Sequence, residues 1–259
     1  MIQRGIVLSL LLVSLTGTAF ASPTWTVPVG WMGDLTSDGT YLYMTTMDSS
    51  RRTVVLDRED GAIVATIEQN PLVTSNPRGA ALDGAGHLFL TSMGPDVCEL
   101  DNTGQSVNCF AAPDPVPVEP DTFRSGAIAF DGTYLYVGDI DSGTILVTDT
   151  AGSLVRHFES GRRPEGMAFE PSTGHLWVVD LFEANRMSEI TTDGTRVREC
   201  EIPYARVPLT AALGGIAIVG SKFYVAEPLD PLLPEAGTLI HVLQRNSLAC
   251  DPPIHRPLR

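Results

Sequence analysis

The sequence has 259 residues and a formal charge of −14 at pH 7; 43% of its residues are apolar, and it holds 24 Gly and 19 Pro. An acidic surface of this kind repels phosphate backbones and anionic lipid, which argues against nucleic acid and membrane partners and leaves cations, neutral ligands and protein surfaces. Long helical periodicity is absent throughout, so the chain reads as all-β and rich in turns.

Residues 1–21 read as a secretory signal peptide. Arg4 precedes the apolar run GIVLSLLLV, and the stretch ends in Ala19-Phe20-Ala21, the small-x-small pattern that a signal peptidase cuts after. The run is too short for a bilayer span, which takes about 20 residues, and no Cys near the cut suggests a lipid anchor. The expectation is a secreted or periplasmic protein, mature from Ser22, forming one domain over 22–259. TWTVPV at 24–29 is an isolated strand ahead of the repeats.

Five segments then repeat one series of features. A small-apolar strand opens each: GDLTSDG (33–39), RGAALDG (78–84), GAIAFDG (126–132), EGMAFEP (165–171) and GGIAIVG (214–220). A strand with a bulky centre follows: YLYMTT (41–46), HLFLTS (87–92), YLYVGD (134–139), HLWVVD (175–180) and KFYVAE (222–227). Third strands include RTVVLD (52–57), TILVTD (144–149) and TLIHVL (238–243), and fourth strands AIVATI (62–67), SVNCF (106–110) and TRVREC (195–200). The intervening turns REDG, DNTG, DTAG and TTDG end in Gly, which takes the positive φ of a tight hairpin. Four hairpin-linked strands make an antiparallel sheet with two faces to cover, and stacking such sheets in a ring covers both. The prediction is a β-propeller of four-stranded antiparallel blades, five in number, with six the alternative. Ring closure falls either to 24–29 or to 247–250.

Four cysteines suit an oxidising compartment. Four cysteines allow three pairings; Cys98 and Cys109 flank the turn 101–104 nearly opposite each other, and Cys200 and Cys250 each follow the outer hairpin of a repeat, which favours 98–109 and 200–250. No Cys/His spacing suggests zinc.

The segments PEGMAFEPSTGHLWVVD (164–180) and SGAIAFDGTYLYVGDIDSGTILVTD (125–149) resemble units of the NHL-repeat and SMP-30/gluconolactonase-like propeller superfamily. That resemblance implies a propeller. Because the superfamily mixes metal-dependent lactonases, streptogramin-type lyases and binding propellers, it fixes no reaction. Its lactonases hold their ion with a Glu, two Asn and an Asp at channel positions. Glu165 matches the Glu and Asp180 or Asp139 the Asp, but no Asn stands at an equivalent position; Asn70, Asn76 and Asn185 lie in connecting segments.

Two repeat positions are expected to face the channel mouth. Entry to the first strand gives Gly33, Arg78, Gly126, Glu165 and Gly214, with Asp34 beside the first; the end of the second gives Thr46, Ser92, Asp139, Asp180 and Glu227. Convergent carboxylates could ligate Ca²⁺ or another divalent cation through Glu165, Asp139 and Asp180. The competing expectation is that each caps a local turn. Arg78 facing Glu165 reads either as a channel salt bridge or as a site for an anionic group. His87 and His175 look like exposed edge residues, Trp25 and Trp31 could stack on sugar rings, and Trp177 sits at a core position. Residues 112–121 are expected to form an acidic Pro-rich surface loop. The functional expectation is a monomeric propeller binding a small molecule or protein partner without catalysis through Asp34, Arg78, Glu165, Asp139, Asp180 and Glu227. The alternative is a divalent-metal-dependent hydrolase of the lactonase type.

Overall fold

The computed structural model describes residues 24–30, 32–47, 51–69, 76–113, 124–180, 186–202, 214–229 and 237–251. The predicted signal peptide, Trp31, Asn70, Asn185 and most of 112–121 lie outside them. The strands form five antiparallel sheets in a five-bladed propeller. Blade 1 comprises β2 (Met32–Ser37), β3 (Tyr41–Thr46), β4 (Arg52–Asp57) and β5 (Ile63–Glu68). Blade 2 comprises β6 (Ala80–Leu82), β7 (Leu88–Thr91), β8 (Asp96–Leu100) and β9 (Ser106–Ala111). Blade 3 runs through β10 (Ser125–Phe130), β11 (Leu135–Asp139), β12 (Thr144–Thr148) and β13 (Leu154–Glu159).

The last two blades settle how the ring closes. Blade 4 holds β14 (Pro164–Glu170), β15 (His175–Asp180), β16 (Arg186–Thr191) and β17 (Arg196–Glu201), and gains a fifth strand, β21 (Ala249–Cys250). Blade 5 has β18 (Gly215–Val219), β19 (Lys222–Pro228) and β20 (Thr238–Gln244), with β1 (Thr24–Val27) from the N-terminal side as its outer strand. Both candidates for closure are therefore used: 24–27 completes the ring, while 249–250 turns back onto the preceding blade. Trp25 supplies the reason for the first choice. It lies 5.9 Å from the Tyr224 ring and against Gly61, apolar contacts that bind the blade 5 and blade 1 seam rather than a sugar.

The turns between third and fourth strands take the form their sequences predict. Gly61, Gly104, Gly152 and Gly194 have φ of 75°, 83°, 90° and 91°. Asp101 and Asp149 each accept two turn N–H groups, from Thr103 and Gln105 and from Ala151 and Ser153. At Gly152 a side chain is excluded twice over, because a Cβ would lie 2.4 Å from Phe110 of the preceding blade.

The cores lie between blades. Leu42, Met44 and Leu56 of blade 1 pack with Tyr224, Ile240 and Val27 of blade 5, and Trp177 and Val179 of blade 4 pack with Phe223 and Val225. Alternation puts each second strand's odd and even residues on opposite faces, so both faces are sealed by neighbours. Disulfides join Cys98 to Cys109 and Cys200 to Cys250, each pair directly opposite across adjacent strands. Two disulfides fit an extracellular or periplasmic setting. Among the described residues no helix is long and apolar enough to cross a membrane.

Candidate functional site

Gly33, Arg78, Gly126, Glu165 and Gly214 stand within two residues of the starts of the five inner strands, at one end of the axis. Bulges interrupt the register there in blades 1, 3 and 4, between Met32 and Leu35, Ser125 and Ile128, and Pro164 and Gly166. A bulge re-aims the side chain it carries, and here it frees Glu165 from the ladder to face the axis. Arg78 Nη1 donates to Glu165 Oε2 at 2.9 Å, linking blades 2 and 4 across the ring. The pair is largely removed from water, at 14% and 6% side-chain exposure. Arg78 Nε is buried with no hydrogen-bond partner. Burial raises Glu165 above the usual carboxylate range, and the charges of Arg78 and Arg124 pull it part of the way back.

One residue further in, the inner strands present Asp34, Gly79, Ala127, Gly166 and Gly215. The strands abut so closely that a Cβ on Gly215 would lie 2.5 Å from Leu35 N, and one on Gly79 2.8 Å from Ile128 N. The only large side chain at this level is Asp34, which is fully buried. Its carboxylate accepts from the backbone N–H of Leu35 at 2.8 Å, Ile216 at 3.3 Å and Ala80 at 3.4 Å, drawing on three blades. Burial holds its pKa well above the ordinary value, opposed by those three hydrogen bonds and reinforced by Glu165. Asp34 thus plugs the axis beneath the Arg78–Glu165 pair. Beyond it, at the opposite end, lies a cavity of 210 Å³ lined from all five blades, with Thr36, Ala81, Ala129, Ala168 and Ala217 among its walls.

The second-strand ends behave differently. Thr46 bonds to the Arg52 backbone, and Ser92 accepts from Gly94 N. Asp139 accepts from Arg124 N, Asp141 N and Ser142 Oγ, and Asp180 from Arg163 N at 3.0 Å. The two Asp share one task, fixing the backbone that enters their blade's inner strand. Glu227 lies 2.6 Å from Nε2 of the buried His241. The structure does not bring Glu165, Asp139 and Asp180 together, because each carboxylate is bound within its own blade or to Arg78. Among the described residues, the one trio of ligand atoms mutually within 4.8 Å is Asp83, His87 and Glu99.

That trio belongs to a ladder that the repeats encode but sequence reading alone passed over. The acid closing each inner strand is Asp38, Asp83, Asp131 or Glu170, with Val219 in blade 5; the aromatic at the centre of each second strand is Tyr43, Phe89, Tyr136, Trp177 or Tyr224. Tyr43 and Tyr136 donate to Asp38 and Asp131 at 2.9 and 2.8 Å, and Trp177 Nε1 to Glu170 at 2.8 Å. The two tyrosines are thereby pushed up to about 12, by burial first and the carboxylate second. In blade 5 the acid is missing, and Tyr224 Oη is left without a partner. In blade 2 the aromatic is Phe89, which has no N–H or O–H to donate. The positions His87 and His175, expected at exposed edges, instead carry half-buried His–Glu pairs with Glu99 at 2.6 Å and Glu189 at 2.7 Å.

Neither a family model nor a curated protein sequence matches the chain. Solved structures match in shape at low identity. A glutaminyl cyclase from Myxococcus xanthus is 15% identical with a TM-score of 0.63, over 88% of this chain and 95% of that one. A streptogramin B lyase is 12% identical with a TM-score of 0.52, over 88% and 97%. A chain of a nidogen/laminin complex is 19% identical with a TM-score of 0.51, over 77% and 73%. At these identities the likeness establishes a β-propeller fold and nothing narrower.

Proposed function

We propose that the protein is an exported, non-catalytic binding propeller whose ligand docks over the Arg78–Glu165 pair at the closed mouth of the axis. The observation that carries this reading is the plugged channel: Asp34 and the abutting inner strands close the axis beneath a partly buried Arg and a buried Glu. Arg78 is bound to Glu165 through Nη1 and keeps 14% of its side chain exposed, and a guanidinium at the mouth suits a ligand carrying a carboxylate. Both nidogen and laminin are named in the complex that one shape relative comes from, so a protein terminus is as fitting a carrier of that carboxylate as a small acid.

The test is thermal-shift and calorimetric titration with a panel of amino acids, short peptides and sugar acids. Arg78→Met should abolish binding of carboxylate-bearing hits. Glu165→Gln should tighten it, because it releases Arg78 from its internal counter-ion. Glu165 sits above its ordinary pKa, so in the unmutated protein such binding should strengthen as pH falls through that raised value, and Glu165→Gln should flatten the dependence. Hits that bind both variants as well as the parent would place the site elsewhere.

A second reading is acid–base catalysis by Glu165. It is favoured by the raised pKa of a carboxyl at the mouth, the property a proton-transferring group needs. The glutaminyl cyclase and streptogramin B lyase among the shape relatives make glutaminyl compounds and streptogramin B the first substrates to assay. Turnover lost in Glu165→Gln would replace the binding reading. The lactonase-type reading has less support, since its candidate ligands Glu165, Asp139 and Asp180 have separate commitments.

A further inference from the structure

Blades 2 and 4 share three polar positions: an acid at or just past the end of the inner strand (Asp83, Glu170), a His at or just before the start of the second (His87, His175) and a Glu in the third strand (Glu99, Glu189). In blade 4 cationic and polar partners consume both carboxylates. Glu170 accepts from Trp177 Nε1 and Ser172 Oγ and pairs with Arg245; Glu189 pairs with Arg198 and lies 3.6 Å from Arg245.

Blade 2 has replaced every one of those partners. Phe89 stands where Trp177 stands, and Asn108 lies opposite Glu99 where Arg198 lies opposite Glu189. Among the described residues no Arg or Lys pairs with Asp83 or Glu99. What remains is His87 Nδ1 at 2.6 Å from Glu99 Oε1 and 3.8 Å from Asp83 Oδ2. The other Asp83 oxygen accepts from Ala85 N at 2.8 Å and His87 N at 2.7 Å, which presets the carboxylate. Side-chain exposures of 34%, 19% and 17% for His87, Asp83 and Glu99 leave an approach from solvent.

We propose that Asp83, His87 and Glu99 form a divalent-cation site suited to zinc. One imidazole nitrogen and two carboxylate oxygens are ligands zinc accepts, and the open side leaves a fourth position for water. Tetrahedral bonds of about 2.0–2.2 Å place ligand atoms about 3.3 Å apart, and the two observed separations bracket that value. Ca²⁺ takes six or more oxygen ligands, so an imidazole and two carboxylates suit it poorly. The site is separate from the axial mouth, and it does not depend on the binding reading given above. An ion here ties the turn after the inner strand to the third strand of the blade that already carries Cys98–Cys109.

The experiment is calorimetric titration of ZnCl₂, and separately CaCl₂, into the purified protein stripped with EDTA, near neutral pH. One equivalent of Zn²⁺ is expected to bind in the micromolar range or tighter, with Ca²⁺ giving no comparable heat. Co²⁺ loading should give the visible bands of a tetrahedral nitrogen and oxygen site. His87→Gln and Glu99→Gln should each weaken Zn²⁺ at least about tenfold, with circular dichroism confirming the fold, while His175→Gln in blade 4 leaves it unchanged. Absence of stoichiometric Zn²⁺ binding overturns the proposal. So does retention by both blade 2 variants, or equal loss in His175→Gln.

Discussion

Blade 4 receives an extra strand, β21, and with it the disulfide Cys200–Cys250, which spans 50 residues. The same returning segment brings Arg245 onto Glu170 and to within 6.0 Å of the Trp177 ring. Among the described residues blade 2 has no such visitor. Its disulfide closes 11 residues within a single hairpin, and its acid–His–acid cluster remains half open. One repeat pattern has therefore become a sealed structural knot where the chain end supplies cations, and an open polar cluster where it does not. A motif's role in a repeat protein follows from what its neighbours supply as much as from its own residues.

Removing each blade's disulfide should widen that contrast most. Loop-closure entropy puts the stabilisation from Cys200–Cys250 at about 4 kcal/mol and from Cys98–Cys109 at about 3 kcal/mol, on the chain-entropy model. Calorimetric melts of the paired Cys→Ser variants should show the larger loss for 200/250, on the order of 10 °C. An equal or smaller loss would mean that β21 contributes little to blade 4. The acids come next. Glu170→Ala leaves the buried Trp177 N–H unpaired and frees Arg245, at a cost of about 2 kcal/mol. Asp83→Ala loses turn hydrogen bonds near the surface and should cost about 1 kcal/mol in metal-free protein. Comparable losses in urea unfolding would remove the distinction between sealed and open clusters.

The smallest effect concerns His87 without metal. Its hydrogen bond to Glu99 outweighs the opposing cost of burial and, with the lesser pull of the Asp83, Glu99 and Asp101 charges, raises its pKa above the ordinary histidine value. A folded value above the unfolded one means the pair contributes its stability fully below the unfolded pKa and loses it as pH rises through the folded one. NMR titration of the imidazole in EDTA should find a midpoint above about 6.5, and Glu99→Gln should lower it. A midpoint at the ordinary value in both proteins would contradict the paired geometry.

Much of this was legible in the sequence. The turns ending in Gly61, Gly104, Gly152 and Gly194, the five inner and second strands and the Cys98–Cys109 pair are local or periodic features, and local features are readable because each repeat states them again. The Arg78–Glu165 contact was also foreseeable, since both residues occupy one repeat position and a ring turns shared position into proximity. The Asp34 plug was not. Its weight comes from the smallness of Gly79, Ala127, Gly166 and Gly215 around it, which matters only once a five-blade ring has brought the strands into contact. Asp139 and Asp180 looked convergent because they share a repeat position, yet they accept from Arg124 N and Arg163 N, backbone groups that lead into their own blades' inner strands.

By itself the sequence determined the propeller and its turns and favoured five blades and the observed disulfide pairing, because hydrophobic alternation, glycine conformation and cross-strand register act over a few residues. Only the tertiary structure decided which terminal strand closes the ring, which side chain occupies the axis and which acids meet a cation. Those outcomes depend on distances between residues as far apart as Glu170 and Arg245 or Asp34 and Ile216, and such distances are set by how the blades pack around the ring.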